Sequence, residues 1–294
     1  MTTTSLFQDR ISLIENTLEK ILDSSKSPHY TLIFEAARYT LLSSGKRLRP
    51  LLTLATVEAF NTPFEKALIP SCTLELIHTY SLIHDDLPCM DNDDLRRGKP
   101  TLHKVYPEGQ ALLAGDLLLT LAFETLAESP NLTPQQIVDM IKVLAKKSGG
   151  AGMIGGQSLD LLSEGQSISW ETLKSIHLGK TASLISAALE IGGIVAEVPS
   201  STRKNLVKIG EKIGLSFQII DDVLDVEGEA HLIGKPLLSD IENKKNTSVS
   251  LLSLSRAKDL AEELLTASLE LCKELGIENS SLASMLPKLV YRDF

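Results

Sequence analysis

The sequence predicts an all-α fold: a single-domain bundle of roughly ten or more helices around a central cavity. Three observations carry this. Nearly every long segment places its apolar residues at helical rather than alternating spacing. The breaks between segments contain Gly, Pro or Asn, as in "NTPFEK", "SPNLTP" and "EVPSST". No alternating run of strand length flanked by turn dipeptides is present. At 294 residues and 43% hydrophobic, the chain has ample apolar material for a large core.

The elements follow in order. In "LFQDRISLIENTLEKIL" the residues Leu6, Ile11, Ile14, Leu18, Ile21 and Leu22 recur at steps of one to five and define a first helix. Further helices are predicted at about 30–44, 50–60, 66–86, 109–128, 134–162, 169–195, 201–226, 256–275 and 279–291. Thr133-Pro134 and Ser169 stand where an N-cap or a first-turn proline belongs. The helices at 169–195 and 201–226 are apolar around much of their circumference, which marks the middle of a bundle, a common setting for a metal or ligand site. No linker, repeat or low-complexity segment divides residues 1–294, so one domain is expected.

The net charge of −9 and the lack of a basic stripe argue against nucleic acid as a partner. Cys72, Cys89 and Cys272 are distant from one another and form neither a metal-spaced pair nor a disulfide framework. With no signal-peptide pattern at "MTTTSLFQDR", a reducing cytoplasm is expected. The longest apolar runs are interrupted by Asp116 and Glu190, short of the ~20 residues that span a bilayer.

The chemistry concentrates in two acidic clusters. "HTYSLIHDDLPCMDNDDLRRGKPTLHK" holds five aspartates between Asp85 and Asp94, with Pro88 ending the helix among them. "FQIIDDVLD" holds Asp221, Asp222 and Asp225; Asp221 and Asp225, four residues apart, share a helix face. Carboxylates late in a helix oppose its dipole, and two such clusters make physical sense if a cation compensates both repulsion and dipole. Hard oxygen donors alone favour Mg²⁺. A solvated helix end explains any one Asp pair, but not two such ends on apolar helices accompanied by arginines. Arg96 and Arg97 follow the first cluster, and "GKRLRP" offers Lys46, Arg47 and Arg49 at a helix start, where an anion is favoured. Taken alone, "GKRLRP" reads equally well as a solvated loop.

From about Phe34 to the C-terminus the chain resembles the trans-isoprenyl diphosphate synthases, and most closely their bacterial farnesyl diphosphate synthase branch. "GKRLRP", the first Asp-rich stretch, "GMIGGQSLDL", "HLGKT", "FQIIDDVLD" and "GKPLLSD" occur in the family's order. The resemblance implies that Asp85, Asp86 and Asp91 bind Mg²⁺ bridging to an allylic diphosphate, and that Asp221, with Asp222 and Asp225, holds a further Mg²⁺. Three Mg²⁺ per active site are expected, and Mn²⁺ can substitute. Arg96 would meet the allylic diphosphate; Lys46, Arg49, His78 and Arg97 the isopentenyl diphosphate; and Lys180, Thr181, Gln218, Lys235 and Lys245 the surroundings of the allylic substrate. The implied reaction ionises the allylic diphosphate with help from Mg²⁺, Arg96, Lys180 and Lys235. Isopentenyl diphosphate then attacks the carbocation and a proton is lost, with the released diphosphate as the base. A homodimer is usual in the family; the helices near 109–128 and 134–162 are candidates for the contact.

Helix geometry bears on product length. At ~1.5 Å per residue, Ser81 and Tyr80, four and five positions before Asp85, lie ~6–8 Å deeper along the helix. A chain growing down this helix would meet Tyr80 after a few isoprene units. In the family, a bulky residue there and the two extra residues of "LPCM" accompany a C15 product. The alternatives are that Tyr80 is an ordinary core aromatic and that the product is geranylgeranyl or longer. A class I terpene cyclase would lack "GKRLRP" and carry a different second motif, and a non-catalytic subunit would lack aspartates that are complete here.

The chain departs from the family pattern at Leu238, at Ser248-Val249 (where the family has Tyr-Pro), at Gly179 before Lys180, and at the terminal Phe294. These departures leave Lys244 as an alternative to Lys245. Arg292 falls where the family has a basic residue that helps close the site. His84, beside the first motif, reads as a ligand or as packing. His103 and His177 read as structural or as supporting a site residue. Asp160 either orients a basic group or makes a structural hydrogen bond.

Overall fold

The computed structural model describes residues 3–26, 28–228 and 246–291, with side chains from residue 8 onward. Lys235, Leu238, Lys244, Lys245, Arg292 and Phe294 lie outside the described residues. The expected all-α architecture is present: twelve helices of eight residues or more occur among the described residues. The chain divides into two compact units. The first is Met1–Leu54 with Pro63–Ile141, and the second is Ala55–Thr62 with Lys142–Phe294.

In the first unit, α1 (Thr3–Ser25) buries Ile14, Leu18, Ile21 and Leu22, four of the positions its spacing selected. It is followed by α2 (Thr31–Leu41), α3 (Leu48–Ala59, whose residues from Ala55 onward belong to the second unit), α4 (Leu68–Asp85), the short α5 (Leu102–Val105) and α6 (Glu108–Ala127). α4 is buried almost throughout, from Pro70 to Ile77 and again at Thr79, Tyr80 and Ile83. A two-residue antiparallel pair, β1 (Leu95–Arg96) with β2 (Lys99–Pro100), lies between α4 and α5. No alternating pattern announces these strands, because the pairing is set by a turn: Arg97 and Gly98 both take positive φ, 54° and 76°, as a two-residue hairpin turn requires.

α7 (Pro134–Ser148) starts on a reciprocal cap. Gln136 N donates to Thr133 Oγ1 at 3.2 Å and Thr133 N to Gln136 Oε1 at 2.9 Å. The helix expected over 134–162 is two helices. It breaks at "SGGAG" and resumes as α8 (Met153–Ser163). Gly152 explains the break: a Cβ there would stand 2.1 Å from Lys147 O and 2.6 Å from Ser183 Oγ.

The second unit continues with α9 (Trp170–His177), capped by Ser169. A π turn (Leu178–Ala182) follows, then α10 (Ser183–Val195) and α11 (Ser200–Glu227). The span expected as one helix at 169–195 therefore carries a π turn over "LGKTA", a distortion common at functional sites. α10 is buried along nearly its whole length. α11 lies against α10 and the π turn through glycines: a Cβ at Gly210 would be 2.4 Å from Ser186 Cα, and one at Gly214 would be 2.5 Å from Ala182 Cα. After α12 (Ser248–Leu252), α13 (Leu254–Glu274) packs Ala257 and Ala261 on Leu215, Ile219 and Val223 of α11. α14 (Ser281–Tyr291) is the last helix. Two helical spans, Glu108–Ala127 and Trp170–Val195, are long and apolar enough to cross a membrane by length and composition. The second is largely buried within the protein, as a core helix is.

Candidate active site

In the first unit, α4 ends at Asp85 and the chain coils back on itself. Asp91 N donates to Asp85 O at 2.9 Å and Met90 N to Leu87 O at 2.9 Å, so the "LPCM" insert returns Asp91 to the helix end. Asp86 is 2% exposed. Its Oδ1 accepts from Arg96 at 2.6 Å, and Arg96 also reaches Asp93 Oδ2 at 3.1 Å. Burial raises the Asp86 carboxyl above its ordinary range against the pull of Arg96. Burial also opposes the Arg96 charge, but Asp86 and the neighbouring carboxylates outweigh it and hold the guanidinium above its usual value. The hairpin carrying Arg96 and Arg97 is pinned by Thr101, whose Oγ1 donates to Asp93 O at 2.7 Å. Asp94 pairs with Lys104 at 2.7 Å on the surface.

Arg47 and Arg49 of "GKRLRP" take different parts, and Lys46 is exposed. Arg47 is 2% exposed and bonds Glu75 at 2.8 Å, Glu15 at 3.2 Å and Ser43 O at 2.7 Å. It is a structural ion pair. Arg49 keeps its Nε buried with no hydrogen-bond partner. Burial pushes its guanidinium down to about 10, with Glu75 opposing and Arg97 adding to the fall. Arg97 is lowered by burial and by Arg47 and Arg96. Its Nη1 donates to Ser44 O at 3.1 Å and passes so close to Gly45 that a Cβ there would be 2.6 Å away. His78 is held neutral: burial and then Arg49, Arg97, Arg96 and Arg47 lower its pKa well below 6.5. Crowded, partly desolvated cations with an unmet donor have the chemistry to receive a compact anion. A cleft beside it is lined by Tyr39, Thr40, Asp86, Arg96, Arg97 and Lys99.

His84 is engaged by α6. Its Nε2 lies 2.9 Å from Leu112 O on α6, and since a carbonyl only accepts, Nε2 carries the proton. Of the two readings of His84, packing is the one the geometry takes. Tyr80 is 5% exposed. Ser81 Oγ donates back to His78 O at 2.9 Å.

In the second unit the π turn presents Lys180 and Thr181. Lys180 Nζ donates to Asp160 Oδ2 at 2.7 Å, so Asp160 does orient a basic group. Thr181 Oγ1 donates to Gln218 Oε1 at 2.9 Å, and Gln218 Nε2 reaches Asp222 Oδ1 at a long 3.4 Å. Gly179, a weak helix former, is there because α8 crosses the turn backbone to backbone. A Cβ at Gly179 would be 2.8 Å from Gly156 Cα, and one at Gly156 would be 2.2 Å from Lys180 N.

The second acidic cluster divides in the same way. Asp222 is 5% exposed; its Oδ2 accepts from Ser248 N at 2.7 Å and lies 3.4 Å from His177 Nε2. Ser248 Oγ is 3.3 Å from His177 Nε2, so the departure at Ser248 places a hydroxyl against this buried histidine. Asp221 is half-buried. Asp225 is buried, and its Oδ2 has no hydrogen-bond partner. Among the described residues no three carboxylate, imidazole or thiol groups converge as a ready metal cage.

The family model described as polyprenyl synthetase matches residues 30–276. The chain belongs to the polyprenyl synthetase family. As a polyprenyl synthetase it is a prenyltransferase. It is 40% identical over 291 residues to the farnesyl diphosphate synthase of Micrococcus luteus, covering 98% of this chain and 100% of that protein. It is 46% identical over 253 residues to a chloroplastic geranylgeranyl pyrophosphate synthase of Capsicum annuum, covering 84% and 68%. Among solved structures it is similar to the Helicobacter pylori geranyltransferase complexed with magnesium and isoprenyl diphosphate. That match has a TM-score of 0.83 and 34% identity, over 99% of this chain and 98% of the other.

Proposed function

We propose that this polyprenyl synthetase is a farnesyl diphosphate synthase, joining isopentenyl diphosphate to dimethylallyl and then geranyl diphosphate, and that residues 1–294 act as one catalytic domain. The observation that carries substrate binding is the buried Arg49 Nε without a partner, beside Arg97 and a neutral His78. With Lys46 this group binds the isopentenyl diphosphate headgroup. Neutral His78 adds a hydrogen bond without adding to the crowding of charge.

The donors fit Mg²⁺. All are hard oxygens, Asp225 Oδ2 is buried and unpartnered, and a set without a closed cage suits a cation that retains waters and shares substrate phosphates. Asp85, Asp86 and Asp91 would hold it in the first unit, and Asp221 with Asp225 in the second. Mg²⁺ would act as a Lewis acid on the departing diphosphate. Arg96, held beside the first motif by Asp86 and Asp93, would meet the allylic diphosphate with its guanidinium fork. As the family resemblance implies, Lys180, oriented by Asp160, and Lys235 would add positive charge to the departing diphosphate. The Thr181 hydroxyl and the Gln218 amide, tied to each other, turn their dipoles toward the developing allylic cation.

Tyr80 ends chain growth at C15, supported by its buried ring on α4 below the first motif. The 46% identity to a geranylgeranyl pyrophosphate synthase favours C20 as the second reading. A cytoplasmic homodimer is the expected form. α6 carries Leu112 and Leu113 exposed at 44% and 46%, an uncovered apolar face suited to a second copy, and light scattering would test it.

The deciding experiment incubates the purified protein with labelled isopentenyl diphosphate, Mg²⁺ and each of the C5, C10 and C15 allylic diphosphates, then sizes the dephosphorylated alcohols. A dominant C15 product from C5 and C10, with no extension of C15, is expected. Extension to C20 would move the stop elsewhere, and no condensation would overturn the enzymatic reading.

A further inference from the structure

Tyr80 and His84 are four residues apart on α4 and stack on one helix face. Their rings meet edge to face, centroids 5.6 Å apart and planes at 77°. The Tyr80 hydroxyl is buried without a hydrogen-bond partner, although a buried tyrosine usually finds one. No hydroxyl bond fixes this ring; its packing does. His84 in turn is fixed from α6. Its Nε2 bonds Leu112 O at 2.9 Å, and Asp116 Oδ1 is 3.8 Å away. The Nε2–Cδ2 edge of the imidazole presses on the backbone at Gly115, where a Cβ would stand 2.2 Å from Nε2, 2.4 Å from Cδ2 and 3.1 Å from Cε1. A glycine inside a helix weakens it relative to alanine. Here only a hydrogen leaves room for the ring. With any larger residue at 115, His84 must retreat by over 1 Å to regain ordinary contact beyond 3.4 Å.

We propose that Gly115 and His84 are specificity-determining residues for product length, because they seat the Tyr80 ring that stops the growing chain. The inference rests on the reading of Tyr80 as that stop. It goes further in assigning the position of the stop to a contact between α4 and α6. Displacing His84 removes the edge contact that orders Tyr80, so the ring samples other rotamers and the wall yields to a longer chain. An aromatic edge contact of this kind biases ring orientation by roughly 2- to 10-fold, and the C20:C15 product ratio is expected to rise by that factor.

The test sizes products from isopentenyl diphosphate with the C10 and C15 starters at matched conversion. It uses the full-length wild type, Gly115→Ala, Tyr80→Ala, the double variant and Tyr80→Phe. Melting temperature and oligomeric state are recorded for each. Tyr80→Ala lengthens the product, and Tyr80→Phe does not, because the hydroxyl has no partner to lose. Gly115→Ala raises C20:C15 by roughly 2- to 10-fold, yet changes nothing further in the Tyr80→Ala background. A merely structural glycine would lower turnover and melting temperature and leave the ratio alone. Should Gly115→Ala not fold, His84→Leu removes the ring without crowding α6, and the same rise in ratio is expected. An unchanged ratio in a folded variant overturns the inference, as does an equal change with and without Tyr80. If Tyr80→Ala itself gives no longer product, the stop is not Tyr80, and the inference falls with that reading while prenyl transfer stands.

Discussion

Arg47 Nη1 and Glu75 Oε1 are 2.8 Å apart, with the two side chains 0% and 2% exposed. Two residues along, Arg49 Nε has no partner at all. Removing one member of a buried ion pair leaves the other charge stranded and costs about 3–5 kcal/mol. Arg47→Ala is therefore expected to lower stability by that amount in denaturant unfolding. Arg49→Ala should leave stability nearly unchanged and raise KM for isopentenyl diphosphate by about 10- to 100-fold, the worth of a hydrogen bond to a charged group. Equal loss of stability in both variants would sink the distinction.

His78 makes an acid-sensitive contribution. Folded, its pKa is depressed well below 6.5 by burial and then by the four arginines around it. The unfolded chain takes up this proton near pH ~6.5. Below that pH the unfolded state binds more protons than the folded one, so stability falls as pH falls toward the folded pKa, by up to about 1.4 kcal/mol per pH unit. His78→Gln should flatten this limb when thermal unfolding is followed from pH 7.5 to 5 at constant salt. Parallel curves for the two proteins would remove His78 from the account.

How much of this was legible in the sequence depends on whether the cause was local. Helix α4 and the Asp-rich ends were readable because period, proline and charge all act within a few residues. The π turn at Lys180 and the break at Gly152 were not. Both arise from close backbone approach between segments distant in sequence, and the sequence showed only unexplained glycines. The roles within "GKRLRP" were likewise hidden. Nothing near Arg47 announces Glu75, 28 positions away, so three adjacent cations looked alike. Asp222 carries the same lesson: the motif groups it with Asp221, and nothing near it announces Ser248 N, 26 positions away, as a donor to its carboxylate.

Gly156 offers a sharp test of the crossing beneath the π turn. Its added Cβ would lie 2.2 Å from Lys180 N and 2.7 Å from Gly179 C, both backbone atoms that no rotamer change can move aside. Gly156→Ala must separate α8 from the turn and displace Lys180 and Thr181. A misplacement of about 1 Å at catalytic groups can cost 10²-fold, so kcat/KM is expected to fall at least that far while far-ultraviolet circular dichroism stays helical. Near-normal kcat/KM would show that the turn does not fix these side chains.

The second acidic cluster is expected to split by function under metal titration. Asp222→Ala leaves the buried Ser248 N–H without the acceptor it has at 2.7 Å, a loss of about 1–3 kcal/mol, and frees Gln218 and His177 from their shared anchor. Asp221→Ala removes a half-buried carboxylate that the proposed reading gives to Mg²⁺. Thermal unfolding without metal or substrate should therefore drop for Asp222→Ala. The Mg²⁺ concentration giving half-maximal condensation should rise for Asp221→Ala and stay near wild type in whatever Asp222→Ala remains folded. If the two variants instead raise the Mg²⁺ requirement equally, Asp222 is a metal ligand, and its bond to Ser248 must be given up when the cation binds.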